Sequence, residues 1–474
     1  MKLLRLHIVQ LLLMALVVLS ATTSCYNYDQ PEEDLNPYAS RYINITVAVS
    51  TSEQHGTRAP LGGEYGDAIE KGTTAENKVS NITLVFYEDA TGINTTSDDA
   101  AVVCVKTYDV TPVNIYYSEG HEHAEYETPE VLGNEVVYTT GDQRLDETTL
   151  VAGKTYKVLV AANVSLPVNV GDKIKTVREL LYSNSNALYT VEDGTPTDFV
   201  MTSESDATVS LTNPTQKTEE DKRFVYNLNC IHIERLAARI DYNTSGADYD
   251  DDYGGYKYSV GTGDGFFVVT KVTPFNLYNE SEYFFKRVRN NWTDATPAIS
   301  WLGYETTTNY VADPNTGNKD NSHTFSYLSP VAEDMNNSYT QTMSSDRNKD
   351  KENIVISYAR ENTLMPTSPL KKYATGLAFE IKYYVSATAT PVTRVYYHYL
   401  RHQGELSTGS YQTYQWGELS SDATCGSSPS MKYGIVRNNI YRVTVSGFTP
   451  EEGDLKITIE EKHWRHVDNP TIYI

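Results

Sequence analysis

From Tyr42 to Ser50 apolar and polar residues alternate without interruption. Ile43, Ile45, Val47 and Val49 fall on one face and Asn44, Thr46, Ala48 and Ser50 on the other, the period of two that marks a strand with one buried side. Further β-prone runs lie at 79–87, 101–110, 135–139, 156–163, 199–203 and 223–233. They continue from Phe266 through Phe275 toward Leu277, and at 281–287, 353–358, 376–384, 393–400, 434–446 and 455–461. Helical spacing is confined to one short stretch, 174–181, and no heptads occur. The pattern predicts an all-β protein.

The interruptions set the organisation. Segment 51–78 holds Gly56, Pro60, Gly62, Gly63, Gly66 and Gly72 and reads as a long loop, and the polar region 312–351 reads as surface loops. A chain of 474 residues is too long for one ordinary sandwich. The expectation is two β-rich domains preceded by a signal peptide (1–24). The run from Cys230 to Tyr242 is read as opening the second domain. The chain finishes in Asn469-Pro470-Thr471-Ile472-Tyr473-Ile474, and a proline before a short β-prone tail fits an edge or detached strand.

The first residues change the picture by placing the protein outside the cytoplasm. Lys2 and Arg5 precede an apolar run from Ile8 to Leu19, then small polar residues and Cys25. The run is too short to cross a bilayer as a helix, which takes about 20 residues, and it reads as a secretory signal. Leu19-Ser20-Ala21-Thr22-Thr23-Ser24-Cys25 resembles a bacterial lipobox, with Thr22 where leucine is usual, so Cys25 is the expected lipidation site. Asp29, Glu32, Glu33 and Asp34 follow; the run reads as a solvated tether, and it also resembles the acidic patch that in some lipoproteins signals display on the outer face of the outer membrane.

Composition and charge narrow the partners. The 38 tyrosines against 11 phenylalanines suit half-buried strands with a wet outer face. A net charge of -23 opposes binding of nucleic acid or anionic lipid through the body of the protein. Besides Cys25 there are Cys104, Cys230 and Cys425, widely spaced and without a CxxC motif, so disulfides do not organise the fold.

Catalytic templates are missing. The chain has no G-x-S-x-G, H-E-x-x-H, Walker A loop or dinucleotide fingerprint. His121 and His123 in an acidic turn give no complete ligand set. Asp248, Asp250 and Asp252 before Gly254 imitate the start of a calcium loop, but Ser259 stands where the bidentate glutamate belongs. His463 and His466 lie three apart and point to opposite faces of a strand. No metal, cofactor or catalytic residue is expected.

Three stretches together resemble the fimbrillin family of type V pilus subunits, and within it the branch of the minor-fimbrium structural subunit. They are the Tyr42 strand leading to Gly56-Thr57-Arg58-Ala59-Pro60, the pair VSNITLVFYED (79–89) and YKVLVAANV (156–164), and YYHYLRH (396–402) followed by YGIVRNNIYRVTVSG (433–447). The resemblance implies two tandem β-sandwich domains, transthyretin- or Ig-like, at 59–228 and 229–474, after a lipidated segment 25–58 that carries the first strand; it also implies a lipoprotein held at the outer surface and a structural shaft subunit supporting adhesion and biofilm formation. It further implies an arginine-specific surface protease that cuts between Arg58 and Ala59. The cut would free the strand bearing Ile43, Ile45, Val47 and Val49, and the slot left would be filled by a strand from another subunit, with Ile472 and Ile474 of the tail as donor plugs. Two other readings stand beside it. A surface glycan-binding lipoprotein would show a planar aromatic platform, for which Trp292, Trp301, Trp416 and Trp464 are too scattered; a tip adhesin of the same fimbrium would have a dispensable tail.

Overall fold

The computed structural model describes residues 41–49, 69–70, 72–88, 99–113, 137–183, 198–203, 206–218, 223–227, 230–290, 299–301, 309–329, 337–365, 368–400, 433–450 and 454–464. Cys25, Arg58, Ala59, His121, His123, Trp292, Trp416, Cys425, His466, Ile472 and Ile474 lie outside the described residues, as do the signal peptide and Ser50.

The protein is all-β. The first half contains β1 (Arg41–Asn44), β2 (Thr46–Val49), β3 (Ile69–Glu70), α1 (Thr74–Asn77), β4 (Asn81–Tyr87), β5 (Val102–Asp109), β6 (Thr111–Pro112), β7 (Val137–Thr139), β8 (Gln143–Arg144) and β9 (Thr155–Ala162). It continues through α2 (Ile174–Arg178), β10 (Leu181–Tyr182), β11 (Met201–Ser203), β12 (Ala207–Ser210), β13 (Thr215–Gln216), β14 (Phe224–Asn227) and β15 (Ile231–Arg235). One sheet runs β13-β14-β1-β8. The other runs β5-β4-β9-β11-β15-β2-β7-β6, with β12 beside β9. Between them lies a core that includes Ile43, Val47, Leu84, Phe86, Val158 and Ile233. β9 is followed by Asn163, whose left-handed backbone (φ 60°) suits asparagine. Its side chain accepts from Ser80 N at 2.8 Å and donates to the carbonyls of Lys78 and Phe199.

The second half contains β16 (Ala238–Asn243), β17 (Asp248–Asp250), β18 (Gly255–Ser259), β19 (Phe266–Phe275), β20 (Leu277–Tyr278), β21 (Glu282–Tyr283), β22 (Arg287–Asn290), β23 (Ile299–Trp301), β24 (Asn309–Val311), β25 (Tyr327–Leu328) and β26 (Gln341–Thr342). After these come β27 (Asn353–Ala359), α3 (Leu370–Tyr373), β28 (Gly376–Tyr384), β29 (Val392–Tyr399), β30 (Asn439–Thr449) and β31 (Asp454–Trp464). Sheet β27-β16-β30-β31-β3 faces sheet β17-β18-β19-β28-β29 across a second core that includes Tyr242, Phe267, Phe379, Val443 and Ile457. The β19–β28–β29 ladder is tight at Gly376, where any Cβ would collide with the Phe275 ring and the His398 carbonyl. Glycine is required there by close approach rather than by backbone angle.

Two sequence expectations change. The run Cys230–Tyr242, read as opening the second domain, divides between the two halves: β15 closes onto the first half's large sheet, Leu236 and Ala237 carry the chain across, and β16 enters the second half's sheet. Segment 51–78 is not loop throughout, because β3 adds to the far edge of the second half's sheet by parallel pairing with the end of β31, and α1 follows. The helix has a local cause. Thr73 Oγ1 accepts from Glu76 N at 3.2 Å and Glu76 Oε2 accepts from Thr73 N at 2.7 Å, a capping box.

The halves are joined by more than the chain. β10 pairs antiparallel with β21, and Phe284 and Phe285 pack on the outer face of the large sheet against Leu159, Val177 and Tyr182. No helix among the described residues is long and apolar enough to cross a membrane.

Candidate functional site: a strand slot through both sheets

The nine residues 41–49 occupy the interior of both sheets of the first half. β1 lies between β14, to which it is parallel, and β8, to which it is antiparallel. After Ile45 the chain passes into the opposite sheet, where β2 lies between β15, again parallel, and β7, antiparallel. A single nine-residue segment is therefore the central rung of two ladders. Its partners on either side come from chain segments about 90 to 190 residues away in sequence, so no hairpin turn holds it in place.

This geometry corrects the expected wet face. Asn44, Thr46 and Ala48 are as deeply enclosed as Ile43, Ile45, Val47 and Val49, none of the seven being more than 3% exposed. The cause is the change of sheet at Ile45, which lets each face of the segment meet protein in turn. The polar side chains at the switch are satisfied locally. Thr139 Oγ1 donates to Asn44 Oδ1 at 2.6 Å, Asn44 Nδ2 donates to Asp142 Oδ1 at 3.4 Å, and Ile45 N donates to Thr140 Oγ1 at 3.1 Å. Thr46 Oγ1 is the exception, buried without a hydrogen-bond partner among the described residues. Such an orphan costs roughly 1–3 kcal/mol, and it lies on the segment rather than on the walls.

The slot walls are anchored to the second half. Arg235, at the end of β15, donates Nε–H to Glu76 O at 3.0 Å and Nη1–H to Asn438 Oδ1 at 3.0 Å, and its other terminal nitrogen binds Asn77. Glu76 Oε2 receives Arg239 Nη1 at 3.1 Å and Glu76 Oε1 receives the Tyr358 hydroxyl at 2.7 Å. Burial, reinforced by that carboxylate, pushes the Tyr358 phenol far above its usual range. Beyond it, Lys286 and Glu234 pair at 2.7 Å and Arg437 and Glu361 at 2.6 Å, all fully enclosed. Burial pushes the Glu282 carboxyl beside them up to about 7, against the pull of Arg437 and Arg360. The sequence reading missed this junction, although Thr73 and Glu76 three apart were a visible helix-start signal.

The other candidates do not converge. Asp250 accepts from Asp252 N and pairs with Lys257, while Asp251 pairs with Lys349. Among the described residues no three His, Cys, Asp or Glu side chains stand together as a metal site. Cys104 and Cys230 are free thiols, which burial pushes up, that of Cys230 to about 12.

No protein-family model and no curated protein matches the chain. Solved structures similar to it include a fimbrilin from Porphyromonas gingivalis, 13% identical with a TM-score of 0.39, covering 91% of this chain and 99% of that one. They also include the C-terminally truncated tip fimbrial protein of the same organism, 12% identical with a TM-score of 0.38, covering 90% and 99%.

Proposed function

We propose that the chain is a structural shaft subunit of a bacterial surface fimbrium. It is exported as a lipoprotein on Cys25, is trimmed between Arg58 and Ala59 by an arginine-specific surface protease, and polymerises by strand exchange to support adhesion and biofilm formation. The observation that carries this reading is the placement of 41–49: a segment without a hairpin to either neighbour, central in two sheets, upstream of an arginine in a glycine-rich stretch. Its loss would open a groove edged by unpaired backbone groups of β14 and β15 on one side and β7 and β8 on the other. Such edges capture strands.

Energetics favour refilling. Ile43, Ile45, Val47 and Val49 at about 1.5–3 kcal/mol each give roughly 6–12 kcal/mol of burial before ordering costs. Any incoming strand that places apolar residues at those depths regains it. Residues 465–474 follow β31 directly and number ten, enough to span the nine of 41–49, with Ile472 and Ile474 as alternate plugs. A contact between one subunit's tail and the next subunit's slot is head-to-tail and grows a filament. The role assigned is mechanical, with no catalytic step.

The donor is tested by removing 465–474 from a chain that also lacks 1–58. The shortened chain is expected to stay monomeric alone and to stop growth when mixed with tailed subunits, read by unheated gel. Growth undiminished without the tail would remove Ile472 and Ile474 from the donor role.

A further inference from the structure

Outside the slot, the second half encloses a lysine, an aspartate and an asparagine in direct contact. Asp313 follows β24, Lys319 ends the turn after it, and Asn362 bridges to Ile435 beside α3. None of the three is more than 3% exposed. Lys319 Nζ lies 2.7 Å from Asp313 Oδ2, 2.8 Å from Asn362 Oδ1 and 3.0 Å from the Thr363 carbonyl, under the Tyr278 ring at 4.4 Å. We propose that this triad is a self-modification site, where Lys319 and Asn362 join through an isopeptide bond with Asp313 as proton acceptor.

Geometry places the reacting atoms. The Asn362 carbonyl carbon lies one C=O bond, about 1.23 Å, beyond the oxygen that Nζ already touches, so a small shift brings Nζ to the near-attack range of roughly 3–3.5 Å. Asp313 is held as the base: its Oδ2 also accepts from Thr363 N at 2.7 Å and Thr363 Oγ1 at 2.9 Å. The leaving nitrogen is oriented as well, since Asn362 Nδ2 donates to Tyr373 O at 2.7 Å and to Thr375 Oγ1 at 2.9 Å. Burial lowers the proton affinity of Lys319, with Asp313 opposing, which favours the free amine a nucleophile needs.

The step balances without an oxidant or co-reactant. The Lys319 ammonium gives one proton to Asp313, and the freed lone pair on Nζ attacks Cγ of Asn362, forming the C–N bond. Collapse of the adduct breaks Cγ–Nδ2, and Nδ2 takes a second proton from Nζ and leaves as ammonia. Lys319 Nζ ends as a neutral amide N–H and Asp313 as a carboxylic acid. A buried ion pair, whose desolvation is expensive, is thereby replaced by two neutral groups. The bond would tie the 313–319 turn to the strand bridge at Ile435, independently of whether the chain polymerises.

The test is tryptic mapping by mass spectrometry of the folded full chain, with Lys319→Arg and Asp313→Ala beside it. The expected result is peptide 290–347, uncut after Lys319, joined to 361–371 and lighter than their sum by one ammonia. Both variants are expected to give the two regions separately. Cleavage after Lys319 with separate peptides in the folded wild-type chain would overturn the proposal, whether or not the variants fold. So would an ammonia loss at Asn362 that survives Lys319→Arg, which would signify cyclisation onto the backbone.

Discussion

Val47→Asp is expected to lower the stability of the uncut chain by at least roughly 4 kcal/mol, because it places an unpaired carboxylate in the middle of a fully protein-lined slot. Val47 lies opposite Ile231 on one side and Tyr138 on the other and is wholly enclosed, so the charge has no route to water short of expelling the strand. Urea unfolding of chains beginning after Cys25 measures the loss. The position also discriminates between a permanent core strand and a removable one. A chain beginning at Ala59 lacks residue 47, so trimmed wild type and trimmed variant become the same molecule, and the defect should vanish after cleavage. A loss below about 1 kcal/mol in the uncut chain would mean that 41–49 is not held in both sheets.

Glu76→Ala is expected to cost about 3–5 kcal/mol, the usual penalty for removing one partner of an enclosed ion pair. The carboxylate receives three donors from three parts of the chain: Thr73 N, Arg239 Nη1 and the Tyr358 hydroxyl. Its removal leaves the Tyr358 hydroxyl buried without that acceptor, takes one of two carboxylates from Arg239, which keeps Asp241 at 2.8 Å, and uncaps α1. Glu76→Gln should fall between wild type and alanine, since an amide oxygen still accepts but the charge is gone. Because Arg235 links the same helix to the end of β15, the loss should appear in both halves at once. Thermal unfolding followed by near-ultraviolet circular dichroism checks this. A change confined to one half would mean that the junction does not couple them.

The sequence made the strands legible and the sheets largely not. Alternation at 42–50 found the first strand, and the β-branched and aromatic runs at 376–384 and 455–461 matched β28 and β31 closely, because a half-buried strand writes its period locally. The burial of Asn44 and Thr46 could not be read that way. Their polarity signals solvent, and only the change of sheet at Ile45, which depends on strands far along the chain, encloses them. The split of 230–242 between two sheets has the same origin: every residue there is β-prone, and nothing local says which sheet it joins. The capping box at Thr73 and Glu76 was readable, but it sits in a segment whose glycines pointed to loop. The triad at Asp313, Lys319 and Asn362 is assembled from a polar region and a strand end that share no motif.

The most direct measurement of the strand-exchange account is to treat the chain, expressed from after Cys25, with an arginine-specific protease, with Arg58→Ala in parallel. Size is then followed by unheated gel and electron microscopy. The account predicts a cut after Arg58, release of the segment bearing Ile43, Ile45, Val47 and Val49, and a heat-labile ladder or fibres that the Arg58→Ala chain does not form. A cut chain that stays monomeric, or that unfolds without assembling, would contradict it.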